Sequence, residues 1–245
     1  MRLDKFLADM GIGSRKEVKG YIKKGLVTVN GQVVKSDKLQ VAEDQDQVVF
    51  DGEPVIYQKY FYYMMNKPGG VISATVDNYE ETVVDLLADT DFREDLFPVG
   101  RLDKDTEGFM LLSNDGALAH RLLSPKKHVE KEYFAKVAGV MTEEDIAAFA
   151  KGLTIDGGEE TLPAELTIMA TDEKAQTSEI RLILHEGKFH QVKRMVQAVG
   201  KEVTYLKRLR IGGLVLDSGL ELGDYRPLTE AEVGLLEEGK KATSN

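Results

Sequence analysis

The sequence predicts an α+β protein in two parts, a small helix-and-hairpin module followed by a larger domain of mixed strands and helices. Three observations carry this. Two short helical patterns precede paired strand patterns around an Asn-Gly dipeptide within the first 58 residues. From Lys59 onward, strand and helix patterns continue without a Pro/Ser-rich linker, a low-complexity segment or an internal repeat. Finally, 245 residues with 42% hydrophobic content supply core for one large or two modest domains. The expected boundaries are a module over 1–58, a main domain over 59–236 and a polar tail over 237–245.

The elements of the first module follow from local chemistry. Leu3, Phe6, Leu7 and Met10 recur at helical spacing until Gly11 and Gly13 break the pattern. Ser14 and Glu17 form a capping box that starts a second helix, expected to run to Lys24 and stop at Gly25. Val18, Tyr21 and Ile22 would be its buried stripe, while Arg15, Lys19 and Lys23, four apart, line up as a ladder of cations on a neighbouring face. Val27–Val29 and Gln32–Val34 read as strands around a type I′ turn at Asn30-Gly31. A strand near Val48–Phe50 closes the unit, with Asp51-Gly52-Glu53-Pro54 as the exit turn.

Composition excludes several function classes. There is no cysteine, so no disulfide scaffold, thiol catalysis or cysteine-bound zinc, and four scattered histidines offer no metal set. No apolar run approaches the roughly 18 residues of a membrane span, and the N-terminus lacks an apolar signal region, so a cytoplasmic location is expected. A net charge of −10 argues against a nucleic-acid partner until its distribution is read. Residues 1–36 carry +5 and residues 181–210 carry +6, leaving −21 on the other 179. Two cationic segments in an acidic chain point to phosphate-binding surfaces.

In the main domain, Tyr60–Met65 reads as an apolar strand ending in Asn66-Lys67-Pro68-Gly69-Gly70, where Pro and paired Gly stop the strand and let a ligand approach the backbone. The chemistry-bearing stretch is Gly100 to Gly116: an acidic loop, an apolar strand over Phe109–Leu112, and a turn at Asn114-Asp115-Gly116. Three readings compete for its carboxylates. Asp103, Asp105, Glu107 and Gly108 fit the start of a calcium loop, but Asn114 stands where the bidentate Glu belongs. A solvated acidic hairpin is the plain alternative, and a carboxylate nucleophile or base at a cleft edge is the third.

The motif as a whole favours the third. GRLDKDTEGFMLLSNDG is similar to the signature GRLDxxTxGLLLLTNDG of the RsuA family of pseudouridine synthases, and the likeness extends through NKPGGVISAT, KEYFAKV and EGKFHQVKRM. RLDKFLADMGIGSRKEVKGYIKKGLVTVNGQVV resembles an S4 RNA-binding domain. Together they span essentially the whole chain and imply an S4-type module followed by a catalytic domain whose mixed, largely antiparallel sheet is flanked by helices. The segment around His190-Gln191 resembles the branch that modifies uridine 516 of 16S rRNA, the large-subunit branch reading closer to EGRNREVRRL there.

The resemblance implies isomerisation of a uridine within ribosomal RNA, with no cofactor and no metal. Asp103 would be the catalytic carboxylate, attacking the base, attacking the sugar C1′ or assisting elimination to a glycal. Lys193 would pair with it, with Arg194 as the fallback; Tyr133 would stack on the base, Ile211 would floor the pocket, and Arg101 would hold the loop or a phosphate. Arg15, Lys16, Lys19 and Lys23 would contact RNA phosphates, and His185 and His190 would be rim or hydrogen-bonding residues. The expected partner is 16S rRNA, free or in a partly assembled small subunit, bound by a monomer. A 23S rRNA target and a non-catalytic S4-type assembly factor are the alternatives.

Overall fold

A computed structural model of the chain describes residues 1–237. The expected polar tail lies outside the described residues except for Glu237. The chain divides into two compact units, Met1–Tyr60 with Asp89–Arg93, and Phe61–Ala88 with the chain from Glu94 on. No helix among the described residues is long and apolar enough to cross a membrane.

The first unit holds α1 (Leu3–Asp9), α2 (Arg15–Lys24), β1 (Val27–Val29), β2 (Gln32–Val33), β3 (Val48–Phe50) and β4 (Glu53–Val55). Ser14 and Glu17 form the capping box, the Ser14 amide donating to Glu17 Oε2 at 2.8 Å, and Gly25 ends α2 in the left-handed region. Val18 and Ile22 are fully buried against Leu3, Phe6, Leu7 and the strands, with Tyr21 only half-buried. The strands form one antiparallel sheet, order β2-β1-β3-β4. Asp51-Gly52 is therefore a hairpin turn and not an exit: Glu53–Val55 returns as a fourth strand, and Pro54 is tolerated because β4 is an edge.

The second unit contains β5 (Tyr62–Lys67), β6 (Phe97–Pro98), β7 (Glu107–Ser113), α3 (Gly116–Leu123), β8 (Lys131–Ala138), α4 (Glu143–Lys151), β9 (Thr154–Ile155), β10 (Glu159–Glu160), β11 (Glu165–Asp172), β12 (Thr177–Leu184), α5 (Gln191–Ala198), β13 (Glu202–Ile211), β14 (Leu214–Val215), β15 (Tyr225–Pro227) and α6 (Glu230–Glu237). Its nine-stranded sheet runs β11-β12-β8-β13-β7-β5-β15, with β14 on β13 and β6 on β7. Every pairing is antiparallel except β13 with β7. One core packs α4 and α5 on the β8, β11, β12 and β13 half; a second packs α3 and α6 on the β5 and β7 half.

Two sequence expectations shift. The first strand spans Tyr62–Lys67 rather than Tyr60–Met65, so Lys67 belongs to the ladder and is fully buried. Asn114-Asp115-Gly116 does not simply turn the chain: Asp115 caps α3, its Oδ1 accepting from the Leu118 amide at 3.0 Å.

The segment after β5 braces the loop that carries Asp103. Lys67 Nζ donates to the carbonyls of Pro68, Lys104 and Thr106 at 3.0, 3.1 and 2.9 Å. The Gly70 amide donates to the Lys104 carbonyl at 2.8 Å. Ser73 Oγ donates to the Leu102 carbonyl and accepts from its amide, at 2.9 and 3.0 Å. The Pro-Gly-Gly turn is thus approached closely by the acidic loop, through Glu107 and the Asp105 carbonyl at Gly69. Burial pushes the Lys67 ammonium down to about 8, against the pull of Asp105, Asp103 and Glu107.

Replacing Lys67 by Met keeps the aliphatic stem but strands three carbonyls, and should lower the unfolding free energy by about 1–3 kcal/mol in a urea titration. Because the folded pKa, about 8, lies below the ordinary 10.5, the unfolded chain holds more protons between those values. Wild-type stability therefore gains from Lys67 as pH rises through that window, and its lead over Lys67→Met should widen. A constant lead would contradict the buried ammonium.

Candidate active site

The loop between β6 and β7 and the start of α5 bring the two halves of the sheet's chemistry together. Thr106 donates its amide to the Asp103 carbonyl at 3.0 Å, a tight turn that lifts the Asp103 side chain toward α5. There Lys193 Nζ stands 2.9 Å from Asp103 Oδ2 and 2.7 Å from Asp105 Oδ1. On the other carboxylate oxygen, His190 Nε2 is 3.3 Å from Asp103 Oδ1. Asp103 and Lys193 are 23% and 27% exposed, so the pair is screened by solvent on one side only.

The electrostatics follow from this bridge. Burial disfavours the Lys193 charge, but the bonds to Asp105 and Asp103 outweigh it and hold the ammonium above the usual lysine range. The same bond from Lys193 keeps the Asp105 carboxyl below the usual carboxylate range, against its own partial burial. An ammonium shared by Asp103 and Asp105 occupies the place a calcium ion would need, and the strand that starts at Glu107 removes the second half of such a loop. Among the described residues no group of three acidic, His or Cys side chains could hold a metal.

Asp103 opens on a cavity of about 60 Å³ that also touches Arg101, Tyr133, Leu184, His190 and Leu206. Tyr133 reaches it from β8, half-buried, and Arg101 is exposed at its rim with no ion pair among the described residues. The structure therefore brings Asp103, Lys193, Tyr133 and Arg101 together.

Other expected residues lie elsewhere. Ile211 does not floor this cavity; it is 4% exposed in the other core, with Met64, Phe109 and Leu111. The apolar floor is Leu206, five residues earlier on β13, with Leu184 and Val192. Distance along the strand separates them: Leu206 stands opposite Ala135 and Ile211 opposite Lys131, four residues away on β8. Arg194 is no fallback partner for Asp103. Its guanidinium binds Asp156 through Nε, Glu159 at 2.9 Å and the Phe189 carbonyl at 3.1 Å, pinning the β9–β10 hairpin to the loop before α5. His185 is 4.0 Å from Glu165 and lines a separate groove with His128.

Sequence reasoning missed the support that Lys67 and Gln191 give, while His190 stands at the rim as expected. Lys67 was legible as a lone cation in an apolar run just before Pro68. Gln191, 4% exposed, accepts from the Lys188 amide and donates to Glu186, both at 2.8 Å, so it locks the turn that presents His190. His190 itself takes the left-handed conformation, φ 49°, and stacks on the exposed Phe189 ring at 3.7 Å.

In the first unit, Arg15, Lys16, Lys19 and Lys23 are all exposed on α2. Arg15 and Lys19 lie 3.8 and 3.9 Å from Asp4, whose buried carboxylate is already held by Arg2 at 3.0 and 2.9 Å. Such long, exposed pairs are worth about 0–1 kcal/mol, which a phosphate can outcompete.

Comparison with known proteins identifies the family. Residues 61–198 match the RNA pseudouridylate synthase family, and residues 1–47 match the S4 domain. An uncharacterized RNA pseudouridine synthase of Bacillus subtilis is 52% identical, covering 97% of this chain and 99% of its own. The ribosomal large subunit pseudouridine synthase B of the same organism is 40% identical over 98% of this chain and 99% of its own. The ribosomal small subunit pseudouridine synthase A of Escherichia coli is 39% identical over 95% and 98%. A crystal structure of a pseudouridylate synthase superposes with a TM-score of 0.66 at 38% identity, covering 96% of this chain and 99% of that one. With its carboxylate, its paired cation and its S4 domain, the chain belongs to the RNA pseudouridine synthase family.

Proposed function

We propose that the chain isomerises uridine 516 of 16S rRNA, with Asp103 as the reacting carboxylate and Lys193 as the cation that keeps it ionised. The observation that carries the catalytic part is the ion pair at the mouth of the cavity shared with Tyr133. The net reaction exchanges the C1′–N1 bond for C1′–C5; the C5 proton leaves and N1 gains one, so nothing is consumed. A carboxylate serves any of the three routes only when ionised, and an apolar floor of Leu184, Val192 and Leu206 opposes that charge once a base displaces water. Lys193 offsets the opposition. Tyr133 supplies a ring face for the uracil, and Arg101 a cation for an adjoining phosphate.

A cavity of about 60 Å³ has room for about two waters. Unstacking the base costs a few kcal/mol, which phosphate contacts to Arg101 and to the α2 cations offset.

The 16S assignment rests on the His190-Gln191 pair, in which His190 meets Asp103 and Gln191 holds its turn. A 23S target is the second reading, favoured by the relative named for the large subunit at 40% identity. Mapping pseudouridine in both rRNAs of a deletion strain decides between them: loss at position 516 of 16S rRNA is expected, and loss at a 23S position instead would move the assignment.

Asp103→Asn should reduce pseudouridine formation by about a thousandfold or more while RNA affinity survives, measured by single-turnover assay and filter binding. Wild-type rates in this variant would remove Asp103 from the chemistry. Lys193→Met removes the ammonium 2.9 Å from Asp103 Oδ2, so the single-turnover rate should fall by about a hundredfold or more while RNA affinity survives. A wild-type rate would remove Lys193 from the site's machinery. Reversing Arg15, Lys19 and Lys23 to Glu should weaken RNA binding and flatten its dependence on salt by about one unit of slope per lost phosphate contact. An unchanged slope would count against α2 as the contact face.

A further inference from the structure

Residues 181–210 form the second cationic segment of the sequence, and the fold sorts its cations into two groups. Lys188 pairs with Glu159 and Glu186, Lys193 with Asp103 and Asp105, Arg194 with Asp156 and Glu159, and Lys201 with Asp145. Arg208 is buried and donates to the Phe109 carbonyl at 2.8 Å. The other three, Arg181, Lys207 and Arg210, all line one cavity of about 410 Å³.

That cavity is distinct from the Asp103 site. Arg181 and Lys207 each stand opposite Phe134 of the intervening strand, so the three project from one face of the sheet. Their chain neighbours Tyr133 and Leu206 project from the opposite face, into the Asp103 cavity.

Its lining has the chemistry of a polar ligand. Lys207 has no ion pair among the described residues, and Arg181 is shared with Glu132 at 3.2 Å. Asp217, the second acid in the lining, is held by Arg226 at 2.7 Å. Arg210 is neutralised by Glu130 and Glu132, so Lys207 is the lining cation without a carboxylate partner among the described residues. Arg210 is 1% exposed, and its Nε and Nη1 bind Glu132, Glu130 and the Gly212 carbonyl, whereas Nη2 has no partner among the described residues. Asn66 is 3% exposed and donates to the Leu220 carbonyl, and its Oδ1 likewise accepts no bond. Both atoms are fully buried behind the lining, an unmet donor and an unmet acceptor beside the cavity. Leu209, Val215 and Leu216 complete an apolar wall, and the volume lies in the range of small-ligand sites.

We propose that this cavity is a second nucleotide-binding site, on the sheet face away from Asp103. Arg181 and Lys207 take the phosphate, and the apolar wall takes the base. The phosphate belongs either to a free nucleotide or to an RNA strand.

The test uses the full chain with methyl-labelled Leu and Val, titrated with inorganic phosphate, uridine 5′-monophosphate and a hexameric oligoadenylate. A nucleotide-bearing probe is expected to shift the methyls of Leu209, Val215 and Leu216 with a tighter dissociation constant than phosphate. Arg181→Gln with Lys207→Gln, both outside the core, should weaken that binding by about tenfold or more without changing the melting temperature. Tighter binding of the monophosphate identifies a free nucleotide as the source, and tighter binding of the oligomer an RNA strand. Asp103→Asn should leave these shifts intact, so failure of the catalytic assignment is separable from failure here. The proposal falls if no probe moves those methyls at millimolar concentration, if the double variant binds as well as wild type, or if phosphate alone binds as tightly as the nucleotides, an adventitious ion only.

Discussion

The close approach of two backbones at Gly108 is the constraint on which the catalytic domain depends. The sheet has two halves, each with its own helices and core, and they meet at the parallel seam of β7 and β13, where Lys207 stands opposite Glu107 and Arg208 opposite Gly108. A Cβ at position 108 would lie 2.2 Å from the Arg208 carbonyl oxygen, and φ is +101° there, so only glycine fits. Two side-chain bonds fasten the same seam: Arg208 Nε to the Phe109 carbonyl at 2.8 Å, and Tyr205 hydroxyl to Glu107 at 2.6 Å. Asp103 enters from one half, whereas Tyr133, His190 and Lys193 come from the other. The seam is what makes a single site of them, and Gly108 sits only five residues beyond the carboxylate it positions.

The same geometry changes the meaning of the chain's net charge of −10. By arithmetic, residues 181–210 are a +6 segment; in space, four of its lysines and arginines neutralise acids brought from the β6–β7 loop, α4 and the β9–β10 hairpin. Positive charge on the surface is therefore smaller than the sequence count and more local. The α2 ladder keeps its exposure because Arg2 satisfies Asp4, leaving Arg15 and Lys19 only loosely held.

Much of this was legible in the sequence, and the limits have physical causes. The capping box at Ser14 and Glu17, the stop at Gly25 and the Asn30-Gly31 turn depend on contacts within a few residues, and they stand where the local pattern puts them. Asp103 and Lys193 are 90 positions apart, and no periodicity joins them; only the family motifs did. Strand ends were misjudged where a polar residue belongs to a strand for tertiary reasons: Lys67 is charged yet fully buried because three loop carbonyls surround its amine. Ile211 was placed at the cavity by resemblance alone; in the structure it stands opposite Lys131, four residues along β8 from the Ala135 that faces Leu206, and belongs to the other core.

Lysine at position 193 fits the pattern of partners better than an arginine would. An arginine fork prefers both oxygens of one carboxylate, in a planar, bidentate pair. Here the two oxygens of Asp103 have different partners, Lys193 at Oδ2 and His190 at Oδ1, and the same ammonium also serves Asp105. A point charge with rotatable donors can bridge two carboxylates; a fork seated on Asp103 would displace His190 and leave Asp105 unpaired. His190 and Lys193 are three residues apart, one helical turn at the start of α5, so both reach the same acid from one rigid element. The turn that sets His190 is locked by Gln191, and Arg194 ties the Phe189 carbonyl to the β9–β10 hairpin. The run from His190 to Arg194 is thus one device, in which two side chains address Asp103 and two hold the backbone that aims them.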